Sequence, residues 1–238
     1  MKVRGGKNLY GIPIGILMLD TVFPRIPGDI GYAGTFPFPV LYHRVRGASP
    51  TRVVREGDPV LLEGFIEGAR ALEASGVLAI TTGCGFLALF QRQLSEAVRV
   101  PVFTSSLLMV PLVSRMLGPD RVVGILTVDS GSLAPRHLAA AGITEEVPIV
   151  IAGLEKGRAF TQVLLDNEME LDVDAARQEH VDVARDLVER HPEVGAIVLE
   201  CANMPPYAAA IHEATGRPVV DITTLIRTIY ATLVPQTY

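Results

Sequence analysis

The feature that most constrains the fold of this chain is a series of continuous apolar, β-branched runs separated by stretches of helical periodicity. The runs cover residues 12–19, 40–45, 77–82, 100–104, 122–128, 147–151, 196–199 and 219–222. They are unbroken rather than alternating, the pattern of strands buried on both faces of a parallel sheet. Between them, Asp58-Pro59 predicts an N-cap and a first-turn proline for a helix whose stripe of Leu61, Leu62, Phe65, Ile66, Ala69 and Leu72 runs to Gly76. A second stripe, Val173, Ala176, His180, Ala184, Leu187 and Val188, is stopped by His191-Pro192. Strand alternating with helix predicts βαβ units and an α/β fold.

The chain also repeats itself. Residues 76–84, Gly-Val-Leu-Ala-Ile-Thr-Thr-Gly-Cys, align with residues 193–201, Glu-Val-Gly-Ala-Ile-Val-Leu-Glu-Cys, at a spacing of 117 residues. The same spacing pairs 100–103 with 217–220, and Ser106 with Thr223. One offset serving two strand–loop–helix junctions predicts two similar lobes.

Composition narrows the partners. The net charge of −5 and the scattered lysines and arginines argue against nucleic acid or an anionic membrane as the main partner. Two cysteines are too few for a disulfide framework in 238 residues, so they read as free thiols in a reducing compartment. Lys2, Arg4 and Lys7 before the apolar run 10–19 superficially copy a signal peptide. However, Pro13 interrupts the run, Asp20 closes it, and no small-x-small cleavage site follows. No apolar stretch reaches the roughly 20 residues that span a bilayer. A cytoplasmic protein is expected.

Segment 20–39 breaks the pattern, with four prolines, three glycines and the phenylalanines Phe23, Phe36 and Phe38. Regular structure is not expected there, and long irregular loops in compact domains tend to be functional or mobile. It leaves the C-terminal end of the first strand, the edge where ligands bind in open α/β sheets. It reads either as a wall or lid over a site, or as a surface loop tucked onto its own domain by its phenylalanines.

Familiar chemistries are missing. Gly83-Cys84-Gly85 does not extend to a dinucleotide fingerprint, no phosphate loop or Gly-x-Ser-x-Gly elbow occurs, and the five histidines show no metal-ligand spacing. The thiols remain. Cys84 follows a strand and opens a helix expected to begin near Phe86, where unpaired N–H groups favour thiolate and an anionic ligand. Gly83 and Gly85 let a ligand approach the backbone. Cys201 repeats the placement, with Asn203 offering an amide. If the lobes face each other, one thiolate removes a proton from carbon while the other thiol delivers one to the opposite face, with no cofactor and no metal. The alternative is that both cysteines are ordinary core residues.

With both junctions in view, the sequence resembles the aspartate/glutamate racemase superfamily, which includes hydantoin racemases, maleate cis-trans isomerases and arylmalonate decarboxylases. The stretch 19–31 resembles an uncharacterised branch of it. The resemblance implies two Rossmann-like lobes with parallel sheets related by a pseudo-twofold, residues 1–105 plus 217–238 forming one and 106–216 the other. The C-terminal strand and helix, from about residue 218, would return to the first lobe. It further implies a site in the interlobe cleft, Cys84 and Cys201 as the acid/base pair, and a homodimer. The Asn-Thr that follows the first cysteine in amino-acid racemases is replaced here by Gly85-Phe86, and the Thr-His or Thr-Glu after the second by Ala202-Asn203. Binding of a small carboxylate-bearing substrate then falls to helix-end N–H groups and to the hydroxyls of Thr82, Ser105, Ser106, Thr127 and Ser130, each of which reads equally as a helix cap. Arg25 reads as a bidentate carboxylate clamp or as a solvated surface arginine. Asp20 and Asp129 end equivalent strands and read as thiol-orienting or amine-binding groups, or as N-caps. His180 reads as a core histidine.

The expected activity is therefore a cofactor-independent racemase or epimerase acting at a carbon α to a carboxylate or carbonyl. The alternatives are a decarboxylase or cis-trans isomerase of the same superfamily, and a two-lobed binding protein without turnover, for which the thiols would be buried and slow to alkylate.

Overall fold

The computed structural model describes residues 2–236. The eight strands are β1 (Ile14–Met18), β2 (Val40–Arg44), β3 (Ala79–Thr82), β4 (Val102–Phe103), β5 (Val122–Thr127), β6 (Ile149–Gly153), β7 (Val194–Leu199) and β8 (Val219–Val220). The helices are α1 (Leu61–Ser75), α2 (Gln91–Ala97), α3 (Val110–Met116), α4 (Pro135–Ala140), α5 (Val163–Leu165), α6 (Val173–Arg190), α7 (Ala208–Thr215) and α8 (Ile222–Leu233). Every apolar run of the sequence became a strand. The first sheet has the order β2-β1-β3-β4 and the second β6-β5-β7-β8, all pairings parallel. The two sheets share one topology in sequence order, which is what the 117-residue repeat encodes.

Boundaries moved where a side chain competes with the ladder. The run 219–222 yields only two strand residues, because the Asp221 carboxylate accepts the backbone N–H of Thr224 at 2.9 Å and caps α8 at Ile222. The Asp58 carboxylate accepts the N–H of Val60 at 2.9 Å and is paired with Arg52, so Asp58 caps the turn before α1, and the helix starts at Leu61. Asp172 caps α6 through the N–H groups of Asp174 and Ala175.

The end of the chain corrects one expectation. Strand β8 does not return to the first lobe; Val219 and Val220 pair with Ile197 and Val198 at the edge of the second sheet. Only α8 crosses back, burying Ile222, Leu225 and Ile226 with Ile14, Ile16 and Phe103 of the first sheet. The first half makes the reciprocal move: after β4, α3 crosses to pack on β5. Each lobe thus lends its last helix to the other. The main core accordingly runs through both, from Leu17 and Phe65 to Val123, Ile125 and Leu199.

Segment 20–39 contains only a short 3₁₀ turn, Ala33–Thr35, yet it is tightly held. Phe36 and Phe38 are buried in the core under α8, with Phe38 stacked on Tyr230 at 3.8 Å between ring centroids. Phe23 is buried in the main core. Asp29 is 3% exposed and binds Arg25, the N–H of Gly31 and, from the second lobe, the Asn203 amide at 2.7 Å. The two sequence readings merge: phenylalanines anchor the segment, and the part holding Phe23 and Arg25 forms a wall of the interlobe cavity.

Candidate active site

The first half of the site is the turn after β3. The Gly83 N–H donates to the Leu17 carbonyl at 2.7 Å, carrying the ladder one residue past the strand. Cys84 is extended, and the chain then turns into a 3₁₀ helix over Gly85–Phe90 before α2 begins at Gln91. The helix expected near Phe86 is therefore a tighter 3₁₀ element at its start. Thr82 Oγ1 lies 2.6 Å from the Thr104 carbonyl and 2.9 Å from that of Cys84, so its hydroxyl shapes the turn.

The second half follows β7. The Glu200 N–H donates to the Leu126 carbonyl at 2.8 Å, and Cys201, Ala202 and Asn203 form the turn. The Cys201 thiol lies 3.6 Å from Asn203 Oδ1, and Asn203 donates its amide to Asp29. Both thiols line one cavity of about 20 Å³, room for little more than a single water molecule. Arg25, Phe86, Glu200 and Asn203 line it as well.

Glu200 is the residue that sequence reasoning missed. It is 1% exposed. Its Oε2 accepts from Thr127 Oγ1 at 2.8 Å, while Oε1 has no partner. Its side chain reaches across to Gly85, so closely that a Cβ there would overlap both the Glu200 carboxyl and the Glu200 carbonyl oxygen. One signal was available: the repeat sets Glu200 opposite Gly83, an acid at the end of an otherwise apolar strand. A buried charge without a partner is costly, so burial pushes the Glu200 carboxyl from 4.5 up to about 8, against the pull of the Thr127 hydroxyl.

The thiols respond to the same surroundings. Burial, and then the negative charge of Glu200, push Cys84 up to about 12, although the N–H groups of Phe86 and Leu87 pull the other way. Burial also raises Cys201, followed by Glu200 and Cys84. The expectation that helix-end N–H groups leave a low-pKa thiolate is thus corrected: they act on Cys84 in the expected sense but are outweighed by desolvation. At neutral pH the cavity therefore holds two thiols and a predominantly protonated carboxylic acid.

Stability should record this. Because the folded pKa of Glu200 lies above its unfolded value, its contribution is fully present below about pH 4.5 and is lost as pH rises through about 8. Glu200→Gln does not titrate. At about pH 9 it is expected to be more stable than the wild type by on the order of a few kcal/mol and so to melt higher, the gap closing below about pH 5. Scanning calorimetry across this range checks it; parallel curves would mean that Glu200 ionises freely.

The other expected site residues divide. Arg25 faces the cavity and is not a solvated surface arginine. Its guanidinium binds Asp29 at 2.9 Å and Thr21 at 3.0 Å and lies 4.2 Å over the Phe23 ring. Ser105 accepts the N–H of Leu107, and Ser106 donates across the lobes to the Leu199 carbonyl at 2.6 Å. Thr127 holds Glu200. Ala202 is buried, and its carbonyl accepts from the Ile30 N–H at 3.5 Å. Thr82, Ser105, Ser106, Thr127, Gly85 and Ala202 therefore frame the cavity without lining it. Asp20 and Ser130 lie apart: Asp20 pairs with Arg44 and accepts the Gly47 N–H, and Ser130 binds Glu155 beside a separate groove. Asp129 accepts the N–H groups of Gly131 and Ser132, a turn cap. His180 is fully buried and stacked on Tyr207, and burial lowers it to about 4. Among the described residues no helix is long and apolar enough to cross a membrane.

Comparison with known proteins agrees with this architecture. A family model described as Asp/Glu/Hydantoin racemase matches residues 40–227. A dimethylsulfoniopropionate lyase of Durusdinium sp. clade D is 30% identical over 221 residues, covering 90% of this chain and 72% of the lyase. Dimethylsulfoniopropionate lyase 5 of Emiliania huxleyi is 31% identical over 228 residues, covering 92% of this chain; the chain spans only 45% of that lyase's length. Among solved structures, a variant of arylmalonate decarboxylase superposes with a TM-score of 0.61 at 20% identity, covering 93% of each chain. Allantoin racemase from Pseudomonas fluorescens gives 0.62 at 18% identity, covering 92% of this chain and 90% of the racemase.

Proposed function

The chain belongs to the Asp/Glu/Hydantoin racemase family, and from that premise we propose that it removes the proton α to the carboxylate of a small acid, with Cys84 and Cys201 as the acid/base groups and no cofactor. We further propose that its substrate carries a leaving group on the β carbon, so that abstraction ends in elimination. The observation that carries the reading is the convergence of both thiols on one small cavity between the lobes. The outcome, elimination, is supported by the likeness to dimethylsulfoniopropionate lyases over nine-tenths of this chain.

The step balances without an oxidant or a metal. A cysteine thiolate takes the α hydrogen, the C–H electron pair becomes the Cα=Cβ bond, and the bond from Cβ to the sulfonium sulfur breaks with its electrons staying on sulfur. The products are an α,β-unsaturated carboxylate, a neutral thioether and a protonated cysteine, which returns its proton to solvent when the cavity opens. Burial keeps both thiols neutral at pH 7, so the abstracting cysteine first gives its proton to solvent. The N–H groups of Phe86 and Leu87 that already pull on Cys84 favour that site.

Racemisation is the second reading. It is favoured by the equivalence of the two thiol turns, since a second thiol on the opposite face reprotonates carbon when nothing leaves from Cβ.

Proton NMR separates them. The protein is incubated with 3-(dimethylsulfonio)propanoate, and separately with single enantiomers of amino acids and hydantoins. Vinyl signals of acrylate with release of dimethyl sulfide are expected from the first. Inversion of an enantiomer without vinyl product would favour the second reading, and no change in any compound would remove both.

A further inference from the structure

Glu200 has a feature that proton abstraction by two thiols leaves unexplained. A glutamate inside an apolar interior is destabilising unless its carboxyl oxygens find hydrogen-bond or charge partners. Thr127 holds one carboxyl oxygen, but Oε1 meets no donor, although the residue is 1% exposed and lines the cavity. Gly85 is kept free of a side chain at that place, since a Cβ would overlap the carboxyl.

The charges around it narrow what fits. Cys84 approaches from the β3 turn and Cys201 from its own, and both are uncharged thiols in the empty cavity. From segment 20–39 come Arg25 and Asp29, which already neutralise each other. Glu200 is therefore the one group at the cavity whose ionisation would leave a charge without a partner. A plain carboxylic acid anion would add a second negative charge beside it. A zwitterion would not: its carboxylate can share Arg25, and its cationic centre can take the vacant Glu200 oxygen, with the Phe86 ring alongside.

We infer that Glu200 is the recognition group for a positive charge on the substrate, so that the enzyme selects onium carboxylates. The inference rests on the reading above for the cavity being the substrate site. It also bears on the thiols, which burial first and then an ionised Glu200 hold in the neutral form. An onium group beside Glu200 offsets the charge the carboxylate acquires, so Glu200 can ionise there without adding net negative charge against the thiols. The same contact draws the proton off Glu200, which holds it at neutral pH in the empty cavity.

The test is isothermal titration calorimetry on the Cys84→Ser/Cys201→Ser protein, which prevents turnover, with Glu200 intact or changed to Gln. Folding of both is checked by circular dichroism. The ligands are 3-(dimethylsulfonio)propanoate and 4-methylpentanoate, in which an uncharged carbon replaces the sulfonium sulfur at the same size. Titrations at pH 7 in buffers of different ionisation enthalpy count protons. The onium compound is expected to bind tighter by about tenfold or more, with release of close to one proton, and Glu200→Gln is expected to abolish both effects. Equal affinities, a preference that survives Glu200→Gln, or binding of neither compound would overturn the inference. The two readings fail separately. Wild-type turnover of substrates lacking a cation, without onium preference, removes the role of Glu200 and keeps the thiol chemistry. Onium preference in a protein with no turnover does the reverse.

Discussion

A single methyl group added at Gly85 is expected to destabilise the protein by about 3 kcal/mol, near the upper end for overpacking a dense interior. The Cβ of Gly85→Ala would overlap two atoms of Glu200, its main-chain carbonyl and its carboxyl. The carbonyl cannot swing away as a side chain can. It belongs to the turn whose N–H is tied to Leu126, and Ser106 Oγ stands 3.4 Å from it. The two residues come from different lobes, so relief requires the lobes to part at the cavity. At this chain length the cost corresponds to a drop in melting temperature of roughly 6–12 °C. Gly118→Ala serves as the control, because nothing lies within 4 Å of a Cβ there, and it should melt close to the wild type. Differential scanning calorimetry of both variants decides it. Equal melting temperatures would mean that the interlobe contact at Gly85 is loose.

The largest effect on activity is expected from the thiols. Cys84→Ser and Cys201→Ser each keep the size and shape of the turn but replace an acid/base group by a hydroxyl far too weakly acidic to serve. Each is expected to lower turnover by about 10²–10⁴-fold, the range of a positioned acid/base group. The two losses carry different information. Elimination needs one base, so a strongly unequal pair would identify the cysteine that takes the α hydrogen. Inversion needs a group on each face, so equal losses go with racemisation. Near-wild-type rates in either folded variant would remove that cysteine from the mechanism. Measuring kcat apart from KM distinguishes lost chemistry from lost binding.

Much of this was legible in the residues. The apolar runs identified all eight strands, because buried parallel strands leave no polar face to confuse the pattern. The repeat anticipated two sheets of one order, and the positions of Cys84 and Cys201 brought both to one cavity. The places where the sequence misled are those where a side chain acts across the molecule. Asp221 ended β8 early, and that strand stayed with β7 while only α8 crossed over. Thr82, Ser106 and Thr127 were legible as hydroxyls at strand ends, but their protons go to carbonyls or to Glu200, and no local pattern states which partner a hydroxyl will find. Asp20 and Asp129 end equivalent strands, yet their side chains cap loops or meet Arg44. Helix-end geometry suggested acidic thiols, and burial reversed the result, because desolvation depends on the opposite lobe closing over Cys84. Glu200 was hidden for the same reason. Its meaning comes from Gly85 and Thr127, residues remote in sequence that only the folded lobes bring together.

The most direct measurement is deuterium entry at the α carbon of 3-(dimethylsulfonio)propanoate in heavy water, followed by NMR together with product formation, for the wild type beside the Cys84→Ser/Cys201→Ser double variant. Loss of the α hydrogen with the wild type, as exchange or as acrylate, and silence from a folded double variant are the expected result. A double variant that works at the wild-type rate would contradict the role of the two thiols outright.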